Sequence, residues 1–356
     1  MTATTFPLPT ADSVSDGMRP VSLKTDLAAL ADLIEICFAD TMDEKGREIV
    51  QEMRAISKGG HWLINILNGL DRYLGSMQMG YVWIEGGRLV GNVTLSTATL
   101  PREMGKTAIL SNVAVYPEFR GRGIARELVT KTLSLARSEG FQSVILQVDQ
   151  TNRIAQKLYE SLGFQAERTF TQWRRASHHE APNPLPHMPR LWLRPADEWN
   201  AEYHLANLIR PNTLGGLGWL RPVLPRTFRS GSWFSALFGP VVEPMVIYAD
   251  DQQRGRSGLI GVARIRMAFG SADRIDLLVH PLYNGRLEAP LINYSLRRLE
   301  DRRRAVLIEH PADDLAVTSV FRKYQFDPKR TLTHMRLQLG GEHTWLPQKN
   351  VYKFLD

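Results

Sequence analysis

One stretch of this 356-residue chain occurs twice. VYPEFRGRGIA, residues 115–125, lines up without gaps on VHPLYNGRLEA, residues 279–289, with Val, Pro, Gly, Arg and Ala at the same places. Each copy follows a strand-like run and precedes a helix-like one. The echo continues downstream, where SVILQ at 143–147 matches AVLIE at 305–309 and LYESLGF at 158–164 matches VFRKYQF at 320–326. A period near 164 residues is too long for a solenoid and implies two like domains in tandem. SHHEAPNPLPHMP, residues 177–189, separates them, because four prolines in a short polar run cannot continue a helix or a central strand. The expected organisation is a disordered tail over 1–17, a first domain over 18–176, a linker over 177–189 and a second domain over 190–356. His178, His179 and His187 fall in that linker and read as solvated rather than as a metal site.

The elements of the first half follow from periodicity. RPVSL reads as a strand, and TDLAALADLIEICFAD as a helix with Leu27, Leu30, Ile34 and Cys37 on one face. More helix is expected over roughly 41–74, broken at Gly59-Gly60. GYVWIE and LVGNVTLST then form a hairpin across Gly86-Gly87. After the repeated motif, Ile124, Leu128, Thr132, Leu135 and Ala136 make the inner face of a helix. Ile292, Leu296 and Leu299 do the same in the second copy.

Composition excludes several classes. With 43% hydrophobic and 23% charged residues, the chain can bury a real core. Its one cysteine, Cys37, excludes an internal disulfide framework and a cysteine-based zinc site. Cys37 reads as a buried small hydrophobe, and a cytoplasmic setting fits. The start, MTATTFPLPTADSVSDG, lacks the basic and apolar regions of a signal peptide. No apolar run approaches a membrane span. The formal net charge of +7 lies wholly in residues 190–356. Aromatics are sparse around those arginines, so a solvated surface is expected there rather than a nucleic-acid face.

The chemistry points to the motif itself. A strand running through two glycines and two arginines into a helix is an anion seat. The first N–H groups of a helix have no partner within it, the macrodipole adds positive potential, and glycine lets the backbone turn sharply. Arg120 and Arg122 can add charge-assisted bonds to phosphate oxygens. A Walker loop, GxxxxGK[ST], is absent. A dinucleotide fingerprint, GxGxxG, finds Gly121 and Gly123 but meets Arg126 at its third position, although an acid, Asp149, ends the next strand.

A third pattern matches in two places. Arg120, Gly123 and Ala125 fill the [QR]-x-x-G-x-[GA] motif of the GNAT superfamily of N-acetyltransferases, which this stretch resembles. NRIAQKLYESLGF matches N-x-x-A-x-x-L-Y-x-x-x-G-F through Asn152, Ala155, Leu158, Tyr159, Gly163 and Phe164. The resemblance implies an α/β (α+β) fold of two tandem GNAT-type domains, each a mixed, mostly antiparallel sheet flanked by helices. It implies acetyl-CoA as co-substrate, with no metal, and transfer to an amine by direct attack in a ternary complex. Backbone groups of Val113, Ala114 and Val115 would then hold the pantetheine arm, and residues Arg120, Gly121, Arg122, Gly123, Ile124 and Ala125 the pyrophosphate. Asn152 would be a pantetheine ligand or a helix N-cap, and Tyr159 the general acid. The acceptor would be a small molecule or a peptide, with no membrane or nucleic-acid partner, and the protein a monomer or homodimer. A non-catalytic acyl-CoA sensor is the alternative.

The motif spacing also resembles the enzymes that acetylate the N-terminal amine of ribosomal proteins. There a glutamate five residues before the Asn serves as base, and here that position is Gln147. Asp149, on the same face of the strand, is the substitute candidate, against the plainer reading of a strand-end turn residue. The second copy departs further. Asn284, Leu287, Phe321 and Gln325 replace Arg120, Gly123, Tyr159 and Gly163. Leu287 is expected to crowd the phosphate approach, and this half to fold without catalysing. Residues 210–244 read equally as a lid or as irregular packing, and Arg297, Arg298, Arg302, Arg303 and Arg304 as a solvated face.

Overall fold

A computed structural model describes residues 16–40, 42, 44–59, 79–101, 104–229, 241–249, 258–267 and 272–340. They form two compact units. One takes residues up to Leu146 together with Lys157–Phe164 and Arg336–Gly341. The other takes Gln147–Gln156 and Gln165–Met335. Each half of the sequence therefore gives its last strand, wholly or in part, to the unit built mainly by the other half.

The first unit opens with β1 (Gly17–Pro20), α1 (Leu23–Cys37) and α2 (Glu44–Gly59). The helix expected over 41–74 is thus realised as Glu44–Gly59, and residues 60–78 lie outside the described ones. Leu27, Leu30, Ala31, Leu33 and Ile34 of α1 are buried, as are Val50, Met53 and Ile56 of α2. Buried Asp26 is gripped by Arg19 through two bonds of 2.6 and 2.7 Å and accepts the Ser22 N–H at 2.8 Å. Burial alone would raise the Asp26 carboxyl, but Arg19 and the Ser22 N–H hold it below the ordinary range.

Strands β2 (Met79–Glu85) and β3 (Arg88–Thr97) form the expected hairpin, with Gly86 and Gly87 at φ 56° and 71°. β3 continues antiparallel to β4 (Thr107–Val115). Helix α3 (Ile124–Ser138) buries Ile124, Leu128, Val129, Thr132, Leu133 and Ala136. Leu135, expected on that inner face, is only half-buried, because the stripe drifts toward Val129 and Leu133. β5 (Ser143–Asp149) runs parallel to β4. After it come α4 (Arg153–Ser161) and β6 (Gln165–Arg175).

The second unit repeats the plan with β7 (Trp192–Leu193), α5 (Trp199–Ile209), the single-turn α6 (Pro225–Phe228), and the antiparallel strands β8 (Val241–Tyr248), β9 (Leu259–Met267) and β10 (Asp273–Val279). There follow α7 (Glu288–Arg298), β11 (Val306–Pro311), α8 (Leu315–Lys323) and β12 (Asp327–Gln338). β11 pairs with β6 antiparallel through six residue pairs, Phe170–Arg175 against Val306–Pro311. Ile265, Ile275, Leu291, Ile292 and Phe321 centre one core layer, and Leu205, Val246, Val262 and Leu278 another. Each unit is thus a mixed, mostly antiparallel sheet flanked by helices.

Several expectations for the second half change. The arginines are not simply solvated: Arg302 binds Asp273 through two nitrogens at 2.7 and 2.9 Å, and Arg298 binds Glu243 at 2.7 and 2.9 Å. Glu202, fully buried, is clasped by Arg194 and Arg264, each at 2.7 Å. Within 210–244, residues 210–229 pack irregularly onto the sheet, and strand β8 already begins at Val241. Asn212 bridges to the Val223 backbone in both directions, and a Cβ at Gly218 would stand 2.5 Å from Glu309 Oε2. Residues 230–240 lie outside the described ones. The proline-rich stretch is tethered as well, since Arg175 donates to the His179 and Glu180 carbonyls and Asn293 to the Asn183 carbonyl.

Candidate functional site

In the first unit, β4 and β5 part company. They pair only at Thr107↔Ser143, Ala108↔Val144 and Ile109↔Ile145. Beyond Ile109 the strands splay, which leaves backbone groups on that edge of β4 unclaimed by β5. A bulge on the opposite edge accompanies the split. Asn92 opposes Ala114 and Thr94 opposes Ser111, so Val93 alone faces Asn112 and Val113. Asn112 takes φ 50°, a conformation tolerated by Asn, and its carbonyl accepts the buried Asn92 side-chain amide at 3.0 Å.

Val115 leads through a 3-10 turn, Pro117–Phe119, into α3. The turn is braced from both sides, because Arg120 Nε donates to the Val115 carbonyl at 3.0 Å and the Cys37 thiol donates to the same oxygen at 3.4 Å. Cys37 is therefore half-buried and hydrogen-bonded rather than packed as a plain hydrophobe. Burial pushes its thiol up and keeps it protonated. Arg122 pairs with Glu85 at 2.9 Å beside the Phe119 ring.

Gly121 and Gly123 hold φ 77° and 82°, and open space surrounds the position of any Cβ on Gly121. Gly123 is the N-cap of α3 and has no side-chain cap. The N–H groups of Ile124, Ala125 and Arg126 thus begin a 15-residue helix without an intrahelical partner. Close helix packing sets this end in place. A Cβ on Gly91 of β3 would stand 3.1 Å from Ile124 Cγ2 and from Leu128 Cδ1.

Tyr159 is buried in the same unit, with its ring edge-on to Phe164 at 5.7 Å. Burial raises its phenol well above the ordinary value, so it stays protonated through the neutral range. Gly163 makes the turn between them at φ 92°.

Asp149 and Asn152 fall in the segment grouped with the second unit. Asp149 Oδ1 accepts the Thr151 N–H at 2.9 Å and the Thr151 hydroxyl at 2.7 Å, an Asx-type turn at a strand end. Asn152 Oδ1 accepts the Ala155 N–H at 3.0 Å, a helix N-cap bond. Gln147 contacts His334 Nε2 at 2.9 Å, and burial holds His334 neutral, down to about 4. Sequence reasoning missed His334, which is 187 residues from Gln147 and belongs to no motif.

The second copy shows why it differs. β10 and β11 pair only at Asp273↔Val306 and Arg274↔Leu307, so the splay persists. Gly285 keeps φ 80°. Leu287, however, takes φ −103° and sinks its side chain into the core, so it does not crowd the turn as expected. Buried Glu288, the counterpart of Ile124, instead turns its Oε1 onto the Gly285 N–H at 3.0 Å. The chain's own carboxylate fills the anion seat.

Residues 55–164 match the Acetyltransferase (GNAT) family. The [Ribosomal protein bS18]-alanine N-acetyltransferase of Haemophilus ducreyi is 44% identical over 57 residues, 16% of this chain and 39% of that protein. N-acetyltransferase 8 of Rattus norvegicus is 35% identical over 95 residues, 26% of this chain and 42% of that protein. The chain therefore spans about two fifths of the length of these relatives. The GCN5-related N-acetyltransferase from Sphaerobacter thermophilus shares the fold, with a TM-score of 0.54 at 17% identity over 91% of this chain and 96% of that one. Among the described residues, no helix is long and apolar enough to cross a membrane and no group of His, Cys, Asp and Glu could hold a metal.

Proposed function

We propose that this chain, which carries a GNAT acetyltransferase domain in its first half, moves an acetyl group from acetyl-CoA to a primary amine. One observation carries the reading: the splayed end of β4 runs through a left-handed Gly121–Gly123 turn into an uncapped helix. Such an end offers several N–H donors to a diphosphate, and the edge of β4 at Val113, Ala114 and Val115 that β5 leaves unpaired, apart from the Val115 carbonyl held by Arg120 and Cys37, offers an extended partner to the pantetheine arm.

The chemistry needs little more. A neutral amine nitrogen attacks the thioester carbonyl carbon, and the C–S bond breaks as the tetrahedral adduct collapses. A backbone N–H on the free edge of β4 stabilises the oxyanion. Tyr159, kept protonated by burial, gives its proton to the leaving thiolate and regains one, through solvent, from the protonated nitrogen of the tetrahedral adduct. Gln147 cannot accept a proton. Asp149 remains the carboxylate closest in sequence to that position, but Thr151 occupies its Oδ1 and Arg330 stands 3.9 Å from its Oδ2. The reading therefore rests on an amine that arrives already neutral. Asn152 has its Oδ1 engaged as a helix cap. The second unit serves as a non-catalytic partner domain, and a cytoplasmic setting belongs to the same reading.

The test is an acetylation assay over a panel of small amines and short peptides that follows thiol release from acetyl-CoA. Turnover on at least one acceptor supports transfer. Tight acetyl-CoA binding with no turnover on any acceptor overturns it in favour of an acyl-CoA sensor.

A further inference from the structure

The second unit holds a cavity of about 530 Å³, within the range of small-molecule sites. Its walls include Leu214, Leu277, Val279 and Leu315. Arg210, at the end of α5, lines it although the residue is only 5% exposed. The two hydrogen bonds that the Arg210 side chain makes both leave from Nη2, to His310 Nδ1 at 3.0 Å and to the Leu277 carbonyl at 3.4 Å. Its Nε and Nη1 have no protein partner among the described residues. Unlike Arg168 Nη1 and Glu288 Oε2, they are not sealed from solvent.

A buried guanidinium needs an anionic or acceptor partner. Here Asp314 reaches it only through His310. His310 Nε2 donates to Asp314 Oδ2 at 2.9 Å while Nδ1 accepts from Arg210, so a neutral imidazole separates the two charges. Burial and the Arg210 charge hold His310 down to about 4, consistent with that tautomer. The other acids of the cavity are committed elsewhere. Asp313 is bound by Arg168 at 3.0 Å, and Glu288 is turned onto the Gly285 N–H. Because Glu288 fills the helix end, a diphosphate has no seat there.

We propose that this cavity binds a small organic acid with a hydrocarbon body, its carboxylate hydrogen-bonded to Nη1 of Arg210 and its chain against Leu214, Leu277 and Val279. A carboxylate makes a charge-assisted hydrogen bond to a guanidinium, and the apolar walls suit an alkyl chain of a few carbons.

The test is calorimetric titration of the full chain, without acetyl-CoA, using hexanoate against hexan-1-ol and hexylamine. Hexanoate is expected to bind at least about tenfold more tightly than either, as a charge-assisted hydrogen bond to a buried guanidinium requires. Arg210→Met and Leu214→Trp, the second filling the cavity while leaving Arg210 in place, are each expected to lose at least about tenfold. Should Arg210→Met fail to fold, Leu214→Trp decides. Equal binding of hexanoate and hexan-1-ol, or hexanoate binding that survives Leu214→Trp in a folded protein, overturns the proposal.

Discussion

Gly123 and Leu287 stand at the same place in two copies of one turn, and their backbones differ in sign, φ 82° against φ −103°. The first conformation suits glycine, and the second suits any residue. Gly123→Leu would force a side chain into the left-handed region, a strain of about 1–2 kcal/mol. The expected result is acetyl-CoA affinity reduced at least about tenfold with the fold retained, read by calorimetry and by circular dichroism.

The reverse change is not expected to restore the lost site. Leu287→Gly removes a buried core side chain and leaves the Glu288 carboxylate on the Gly285 N–H. A loss of about 2–5 kcal/mol in urea unfolding is expected, with no second equivalent of acetyl-CoA bound.

The turn itself was legible from residue types, because two glycines flanked by arginines between a strand run and a helix run have few physical uses. The tandem plan was legible from the repeat of VYPEFRGRGIA as VHPLYNGRLEA. What was not legible depends on long-range packing. Nothing local marks Leu287 as a core residue rather than an obstruction, since that depends on Gly261, whose Cβ would stand 3.2 Å from Leu287 Cδ1. The exchange of last strands between units was hidden for the same reason: β6 carries no sign that its partner is Val306–Pro311. Gln147 was singled out as an amide where an acid was expected, but its neighbour His334 lies in no motif.

Tyr159→Phe tests the proton donor. The ring keeps its packing against Phe164, so stability should change by less than about 1 kcal/mol. The expected loss in kcat is about 10²-fold with KM for acetyl-CoA nearly unchanged, measured by thiol release under saturating amine.

Gly91→Ala tests the packing that positions α3. Its Cβ would stand 3.1 Å from Ile124 Cγ2 and from Leu128 Cδ1, so these two side chains must give by a few tenths of an ångström. A cost of about 1–3 kcal/mol in unfolding free energy is expected, together with weaker acetyl-CoA binding.

Asp26 governs part of the acid sensitivity. Its folded carboxyl is held below the ordinary value, so its contribution is present above the unfolded value, about 4, and is lost as pH falls through the folded one. Asp26→Asn should lower the unfolding midpoint at pH 7 and converge on the parent protein as the pH falls well below 4. A thermal-unfolding series over pH checks this, and an undiminished difference at low pH would contradict it.

The most direct measurement is the stoichiometry of acetyl-CoA binding to the full chain by calorimetry. One site per chain, weakened at least about tenfold by Gly123→Leu and untouched by Glu288→Gln, is the expected result. Two sites per chain, or binding that persists in Gly123→Leu at parental affinity, would contradict the assignment of the acetyl-CoA seat to the first unit alone.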